Sequence, residues 1–189
     1  MRKQIIIMAA VAIMAASGGY FVAMILSPEP GQQDYSPVAE ARAINQLEDL
    51  LGQFRPDFEL GDMNGDTVFA ADFNGKIMLL NFWATWCKPC IEEIPMLTRL
   101  QHNYAGHGVQ VVGIALDDPH KAREFASELA VNYPILVGST DTVLAGRRYG
   151  NRSGMLPYSV LVDAHGIIRW AYLGALDKEE LEVQIKALL

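Results

Sequence analysis

The chain has 189 residues, of which 51% are hydrophobic and 20% charged, a composition typical of one globular domain with a sizeable core. Its 15 basic and 22 acidic residues give a formal net charge of −7. Because non-specific binding of phosphate groups needs an excess of Lys and Arg, this balance argues against a nucleic-acid partner. Polypeptides or small molecules are therefore the expected partners.

The N-terminal segment is the least polar part of the chain. After Arg2 and Lys3, residues 5–26 carry no charge, and about 20 apolar residues are enough to cross a bilayer. The two basic residues orient the amino terminus to the cytoplasm. We expect residues 1–26 to be a single-pass membrane anchor with the rest of the chain outside the cytoplasm. The alternative is a signal peptide cleaved near 15–17, which leaves a soluble secreted domain in the same compartment.

The segment 27–54 connects this predicted anchor to the rest of the chain. Residues 27–34 are rich in Pro, Gly and Gln, which is typical of a solvated linker. Residues 37–53 have apolar side chains at helical spacing. We expect a linker followed by a spacer helix.

From residue 55 onward, strand-like and helix-like segments alternate. A nearly continuous apolar run at 76–84 predicts a central strand that is covered on both faces. The predicted elements, in chain order, are a hairpin at 58–69, strand 76–84, helix 91–103, strand 109–116, helix 118–130, strand 133–138, helix 142–149, strands 158–163 and 167–174, and a helix from 177. This order predicts one α/β domain over 55–189, with a mixed sheet flanked by helices.

Both cysteines of the chain, Cys87 and Cys90, lie three residues apart where the central strand leads into a helix. A zinc site needs four ligands, and the four histidines are scattered over different predicted elements. Attachment of c-type haem needs His directly after the second cysteine, where this chain has Ile91. Two interpretations therefore remain: an inert pair, including a permanent structural disulfide, or a redox-active pair.

A redox-active pair has a physical basis at this position. Cys87 in the first helical turn faces unpaired N–H groups and the positive end of the helix dipole, which favour its thiolate. We expect its pKa to fall below the free value of roughly 8.5. Cys90, one turn further on, is predicted to be more buried and to resolve a mixed disulfide by attacking the sulfur of Cys87.

The segment NFWATWCKPCIEEIP at 81–95 resembles the active-site segment of the TlpA/ResA-like branch of the thioredoxin superfamily. Further similarity runs from RPDFEL at 55–60 through GIALDD at 113–118 and GMLPYSVLVDAHGIIRW at 154–170 to the last helix. The resemblance implies a thioredoxin-like fold with an added N-terminal β-hairpin and a βα insertion. It also implies a thiol-disulfide oxidoreductase of the bacterial inner membrane, whose C-terminal domain faces the periplasm or outer cell surface. No cofactor or metal is expected.

Several site residues follow from the resemblance. Pro157 matches the cis-proline that faces the cysteine pair in this family, and a cis bond would leave the backbone of Leu156 free to pair with an extended substrate. Its alternative is a trans proline that begins an edge strand. Glu93 matches an acidic residue of this branch that can shuttle protons to the thiols. Its alternative is a solvated helix glutamate, which is the expected state of neighbouring Glu92.

Three further positions carry weaker signals. Asn81 stands where cytoplasmic thioredoxins have a buried Asp, so Glu93 is the expected substitute for that proton acceptor. Trp86 is either part of the substrate surface or a packing residue. Gly174 matches a glycine near the substrate groove, or simply ends a strand.

The resemblance favours a reductase that keeps the cysteines of client proteins, notably apocytochromes c, reduced with electrons from a membrane thiol donor. That role would place the chain in cytochrome c biogenesis. A disulfide oxidase or isomerase is the nearest alternative, separable by reduction potential. A thiol peroxidase is less favoured because Thr85 lies two residues before Cys87, which is not the usual spacing. A non-catalytic peptide-binding module is the last alternative.

Overall fold

The computed structural model describes residues 49–189. The predicted anchor at 1–26, the linker, and all but the end of the predicted helix at 37–53 lie outside the described residues, so these domain bounds stay predictions. Within the described range, no helix is both long and apolar enough to cross a membrane.

The described part of the chain contains seven strands and four complete α-helices, besides the end of a helix at 49–50. The strands are β1 Glu59–Gly61, β2 Thr67–Phe69, β3 Ile77–Trp83, β4 Val109–Leu116, β5 Ile135–Gly138, β6 Tyr158–Val162 and β7 Ile168–Leu173, and the helices are α1 Lys88–Tyr104, α2 Pro119–Glu128, α3 Thr140–Arg148 and α4 Lys178–Lys186. Every strand and helix predicted between 58 and the C-terminus is present. The largest difference is that α1 begins at Lys88 instead of 91, since Pro89 fits a first turn whose N–H groups need no helical partner.

The strands form a two-stranded hairpin and a five-stranded sheet. β1 and β2 pair antiparallel, as predicted for the N-terminal hairpin. The main sheet has the order β5-β4-β3-β6-β7, in which β3, β4 and β5 are parallel and β6 and β7 are antiparallel to their neighbours. The predicted mixed sheet is therefore confirmed. Because the C-terminal ends of β3 and β4 lie side by side, the segments that follow them meet at one edge.

β3 is buried along its whole length, which explains its continuous apolar sequence. Leu79 and Trp83 point into a core shared with α1, α2 and α4. Leu80 and Phe82 point into a second core on the other face, shared with α3, the hairpin and β6. The helices thus cover both faces of the sheet, as the alternating pattern predicted.

Two helices begin directly after acidic N-cap residues, Asp118 and Asp177. Asp118 accepts hydrogen bonds from the backbone N–H groups of His120 and Lys121 at the start of α2, at 2.9 and 3.3 Å. Asp177 accepts one from the N–H of Glu180 at the start of α4, at 2.9 Å. These bonds satisfy N–H groups that have no partner within the helix.

Candidate active site

Cys87 and Cys90 are joined by a disulfide at the N-terminus of α1. Cys87 is the N-cap residue, with an extended backbone, and Cys90 lies in the first turn. The chain reaches this position through a tight turn in which the N–H of Cys87 donates to the carbonyl of Ala84 at 3.1 Å. Cys87 is 6% exposed and Cys90 is fully buried, which confirms that Cys90 is the more buried of the two. The pair therefore occupies the positive end of the helix dipole.

Glu93 is the buried carboxyl closest in sequence to the pair, one helical turn beyond Cys90. Only 5% of this residue is exposed, so the solvated alternative is wrong for Glu93. Its Oε1 accepts a hydrogen bond from the Asn81 amide at 2.7 Å, and its Oε2 accepts one from the Leu176 N–H at 2.9 Å. Burial raises the pKa of Glu93, and the hydrogen bonds from Leu176 and Asn81 oppose this only in part. The site thus holds a carboxyl that takes up a proton more readily than an exposed glutamate does.

Glu92 behaves differently although it is adjacent in sequence. Its side chain lies on the solvent face of α1, where one oxygen is 3.8 Å from the ammonium of Lys88. Both partners are mostly exposed, so this pair contributes little to stability. The prediction that Glu92 is solvated is confirmed. Lys88, the cation nearest to Cys87 in sequence, therefore points to solvent and towards Glu92.

Asn81 connects Glu93 to the sheet. It is fully buried in β3, and its amide also donates to Oγ of Ser159 at 3.1 Å. Ser159 is its direct neighbour in β6. A short polar chain, Ser159–Asn81–Glu93, therefore crosses the apolar core between the sheet and α1 and ends at the N–H of Leu176. Sequence reasoning missed Ser159 and Leu176, because one depends on strand register and the other is a backbone group.

The Leu156–Pro157 peptide bond is cis, as the resemblance implied, and the trans alternative is wrong. The carbonyl of Pro157 accepts a hydrogen bond from the N–H of Gly174 at 2.9 Å, which brings Gly174 beside this loop. Gly174 has a φ of +129°, a conformation that favours glycine. Leu156 is half-buried and packs against the core cluster that contains Cys87 and Cys90. Leu156 lies outside the helices and strands, and within residues 49–189 its N–H and carbonyl groups make no hydrogen bond to another backbone group.

Trp86 lies on the surface, since 70% of it is exposed, and the packing alternative is therefore wrong for this residue. Trp83, three residues earlier, is fully buried in the core. Met155, which precedes Leu156, is another exposed large apolar side chain. Exposed apolar side chains thus directly adjoin both Cys87 and Leu156 in the sequence.

Asp117 contacts the turn that precedes Cys87, a contact that sequence reasoning did not foresee. One oxygen of its carboxylate, Oδ2, accepts hydrogen bonds from the backbone N–H and the hydroxyl of Thr85 at 2.8 and 2.6 Å. The other oxygen accepts one from the N–H of Asp118 at 2.9 Å. The available signal was the GIALDD segment, whose acidic residues follow β4 at the same edge of the sheet where Thr85 follows β3.

Comparison with known proteins places this geometry in context. The sequence model of the AhpC/TSA family matches residues 51–171. A thiol-disulfide oxidoreductase ResA from Geobacillus thermodenitrificans is 32% identical over 139 residues, which cover 73% of this chain and 78% of the relative. The thioredoxin-like protein YneN from Bacillus subtilis is 35% identical, with 71% of this chain and 78% of the relative covered.

The fold is likewise similar to a solved structure. A crystal structure of a protein from Chlorobium tepidum, assigned as thiol:disulfide interchange protein DsbE, superposes with a TM-score of 0.67 at 32% identity. The match covers 73% of this chain and 96% of that protein. The thioredoxin-like architecture therefore agrees with both the sequence relatives and the structural relative.

Proposed function

The chain belongs to the AhpC/TSA family and is a ResA-like thiol-disulfide oxidoreductase, and on this premise we propose that it reduces disulfides in client proteins outside the cytoplasm. The observation that carries this proposal is the Cys87–Cys90 pair at the N-terminus of α1, with the buried Glu93 one turn further on. Strong oxidants of this type depend on a highly stabilised thiolate. Here the nearest cation in sequence, Lys88, is directed to solvent beside Glu92, which supports a reducing pair.

The proposed reaction is a two-step thiol-disulfide exchange. The Cys87 thiolate attacks one sulfur of the client disulfide, whose S–S bond breaks, and the released client sulfur takes up a proton. The Cys90 thiolate then attacks the sulfur of Cys87, releasing the second client sulfur and forming the Cys87–Cys90 disulfide. The client gains two electrons and two protons, which the cysteine pair loses. A thiol donor in the membrane must return them before the next cycle.

Glu93 has the proposed role of the acid-base group for Cys90. The second step requires Cys90 to lose a proton, and Cys90 is fully buried, where water cannot accept one readily. A carboxyl whose pKa is raised by burial accepts a proton more readily than an exposed glutamate does and can return it later in the cycle. Its hydrogen bonds from Asn81 and Leu176 hold it in one orientation.

The proposed client-binding surface consists of Trp86, Leu156 and Pro157. Trp86 presents an exposed aromatic side chain next to Cys87, and the backbone of Leu156 can add an extended client segment by strand-like hydrogen bonding. In this mode of binding the enzyme recognises mainly the backbone of the client, which suits an enzyme with several clients. A non-catalytic peptide-binding module would use the same surface without needing the cysteines.

The proposal also includes the location of the chain and its partners. The apolar segment at 5–26 supports an inner-membrane anchor with the catalytic domain in the periplasm or on the outer cell surface. In such an oxidising compartment, thiols have to be kept reduced actively. Apocytochromes c are the client class that the family resemblance favours, and a membrane thiol protein is the proposed electron donor.

The reduction potential of the Cys87–Cys90 pair tests the direction of electron flow. Equilibration of the full chain with glutathione redox buffers should give a value at or below the roughly −220 mV of moderate reductants. A value near the roughly −120 mV of strong oxidants would make the chain an oxidase instead.

Trapping of clients tests whether the cysteines act on other proteins. Replacing Cys90 by Ala leaves Cys87 able to attack but removes the group that resolves the mixed disulfide. Cells with the Cys90→Ala chain should accumulate covalent adducts that a reducing agent releases, and the adducts should include both clients and the donor. The matched control is the Cys87→Ser, Cys90→Ala double variant. Equal adducts with both variants, or full activity of Cys87→Ser in cells, would support a non-catalytic module.

A further inference from the structure

Asp117 and Thr85 occupy matching positions on two neighbouring strands. Trp83 pairs in register with Ala115 at the parallel ends of β3 and β4. Thr85 lies two residues beyond Trp83, and Asp117 lies two residues beyond Ala115. The sheet therefore brings the two side chains together directly before the reactive cysteines, at an edge formed by residues far apart in the sequence.

The carboxylate of Asp117 occupies both hydrogen-bond donors of Thr85. The backbone N–H and the hydroxyl of Thr85 both donate to Oδ2 of Asp117, at 2.8 and 2.6 Å. Thr85 is the second residue of the turn from Ala84 to Cys87, and both of its donors are engaged by Asp117. A hydroxyl two residues from a thiolate would otherwise be able to stabilise it by hydrogen bonding.

Asp117 also keeps its charge near the active site. Burial raises the pKa of Asp117, but the hydrogen bonds from Thr85 and Asp118 and the nearby charge of Lys121 outweigh burial and hold it below the ordinary value. The side chain is therefore a carboxylate over the whole neutral range. A negative charge bonded to Thr85, two residues before Cys87, disfavours a second negative charge on the Cys87 thiolate.

We propose that Asp117 is a positioning residue that keeps the Cys87–Cys90 pair reducing. Its carboxylate engages both hydrogen-bond donors of Thr85, so that they do not stabilise the Cys87 thiolate, and its negative charge disfavours that thiolate. The inference rests on the proposed reductase function and names a determinant of its direction. A pair whose thiolate is poorly stabilised favours the disulfide state and gives up electrons readily. Asp117 thus counteracts the N-terminal end of α1, which stabilises the thiolate.

The other charged groups around Cys87 do not duplicate this arrangement. On α1, Lys88 and Glu92 pair with each other at the surface, and Glu93 is held by Asn81 and Leu176 on the buried side. At the start of α2, Asp118 caps the helix through the N–H groups of His120 and Lys121. Among these residues, only Asp117 accepts hydrogen bonds from the turn that precedes Cys87.

The substitution Asp117→Asn tests the proposal, and Asp118→Asn is its matched control. Both changes remove one negative charge at adjacent positions, but only the first alters the contact with Thr85. In the Cys90→Ala background, the pKa of Cys87 is measured from the pH dependence of its alkylation by iodoacetamide. We expect Asp117→Asn to lower this pKa by about 0.5 to 1 and Asp118→Asn to leave it nearly unchanged.

The redox equilibrium gives a second measurement in the chain that keeps both cysteines. With Asp117→Asn, equilibration with glutathione at pH 8 should shift about three- to tenfold towards the dithiol form. A tenfold shift corresponds to a potential about 30 mV higher. Asp118→Asn should not cause this shift, and because Asn caps a helix about as well as Asp does, it should keep the α2 cap.

The substitution Thr85→Val distinguishes an electrostatic role of Asp117 from an effect of loosening the turn between Ala84 and Cys87. This change removes the hydroxyl donor and leaves the Asp117 charge less compensated, so the pKa of Cys87 should rise by a few tenths. A loosened turn would move both variants in the same direction. The inference is wrong if Thr85→Val lowers the pKa as Asp117→Asn does, or if Asp117→Asn changes it no more than Asp118→Asn. Either result leaves the proposed function standing, because that depends on the potential of the unmodified chain.

Discussion

The side-chain amide of Asn81, in the central strand, donates a 2.7 Å hydrogen bond to Oε1 of Glu93, one turn beyond Cys90 in α1. Both residues are buried, so this bond links the sheet and the catalytic helix inside the core. A neutral amide at this position tolerates either protonation state of the carboxyl better than a second acid would. The pairing therefore suits a carboxyl that gains and loses a proton during the reaction.

The role of Glu93 predicts a rate loss in Glu93→Gln. Gln keeps the size of the side chain and one acceptor oxygen but cannot exchange a proton. Because positioned acid-base groups contribute roughly 10²–10⁴-fold, we expect reduction of a protein disulfide at pH 7 to slow by at least about tenfold. Turnover is measured with a membrane-independent reductant such as dithiothreitol. Glu92→Gln is the control and should retain full activity, and equal losses in the two variants would contradict the assignment.

The raised pKa of Glu93 also predicts a pH dependence of stability. Its folded pKa lies above its unfolded value, so its stabilising contribution is complete below the unfolded pKa and is lost as the pH rises through the folded pKa. A pKa difference of one between the two states corresponds to about 1.4 kcal/mol. Urea unfolding between pH 4 and 8 should show Glu93→Gln gaining stability relative to the unmodified chain as the pH rises.

Comparing the unmodified chain with Glu93→Gln isolates the contribution of Glu93 to the free energy of unfolding from that of other titratable groups. Asp163, whose pKa is lowered by hydrogen bonds from Ile167 and Arg169 despite burial, contributes in the opposite direction but is present in both. A difference in unfolding free energy that stays constant from pH 4 to 8 would show that Glu93 has an ordinary pKa.

Asn81→Asp tests the importance of a neutral partner. It places a second carboxyl at hydrogen-bond distance from Glu93 in a buried site, where two like charges cannot both be ionised. We expect a loss of about 2–4 kcal/mol at pH 8 and recovery of most of it at pH 5, measured by urea unfolding. In a Glu93→Gln background the same change should cost much less. An equal cost in both backgrounds would mean that the introduced carboxyl is not coupled to Glu93.

Exposure of Trp86 predicts an effect on clients without an effect on folding. Trp86→Ala removes an exposed side chain, so the free energy of unfolding should change by less than about 0.5 kcal/mol. Reduction of a protein disulfide should show a KM several-fold higher, because aromatic side chains supply much of the contact at binding surfaces. Reaction with a small disulfide should be unaffected. Val183→Ala, another exposed apolar residue, is the control, and an unchanged KM in Trp86→Ala would remove Trp86 from the client surface.

Much of the fold was predictable because it depends on local patterns. The continuous apolar run of β3 marks a strand covered on both faces. Asp118 and Asp177 lie at helix starts because their side chains accept hydrogen bonds from N–H groups two or three residues further along the chain. The same holds for the cysteine pair, whose spacing of three residues at a helix start allows a disulfide. These features need only neighbours in the sequence.

The reactive pair, the alternation of strands and helices and, through resemblance, the cis bond at Pro157 could all be inferred from the order of the amino acids. What surrounds the pair depends instead on tertiary contacts. The orientation of α1 on the sheet determines that Glu93 is buried and Glu92 is solvated. Asp117 contacts Thr85 because β3 and β4 end side by side. The physical reason is that burial and hydrogen bonding, which set the proton affinity of a side chain, depend on groups brought together from distant parts of the chain.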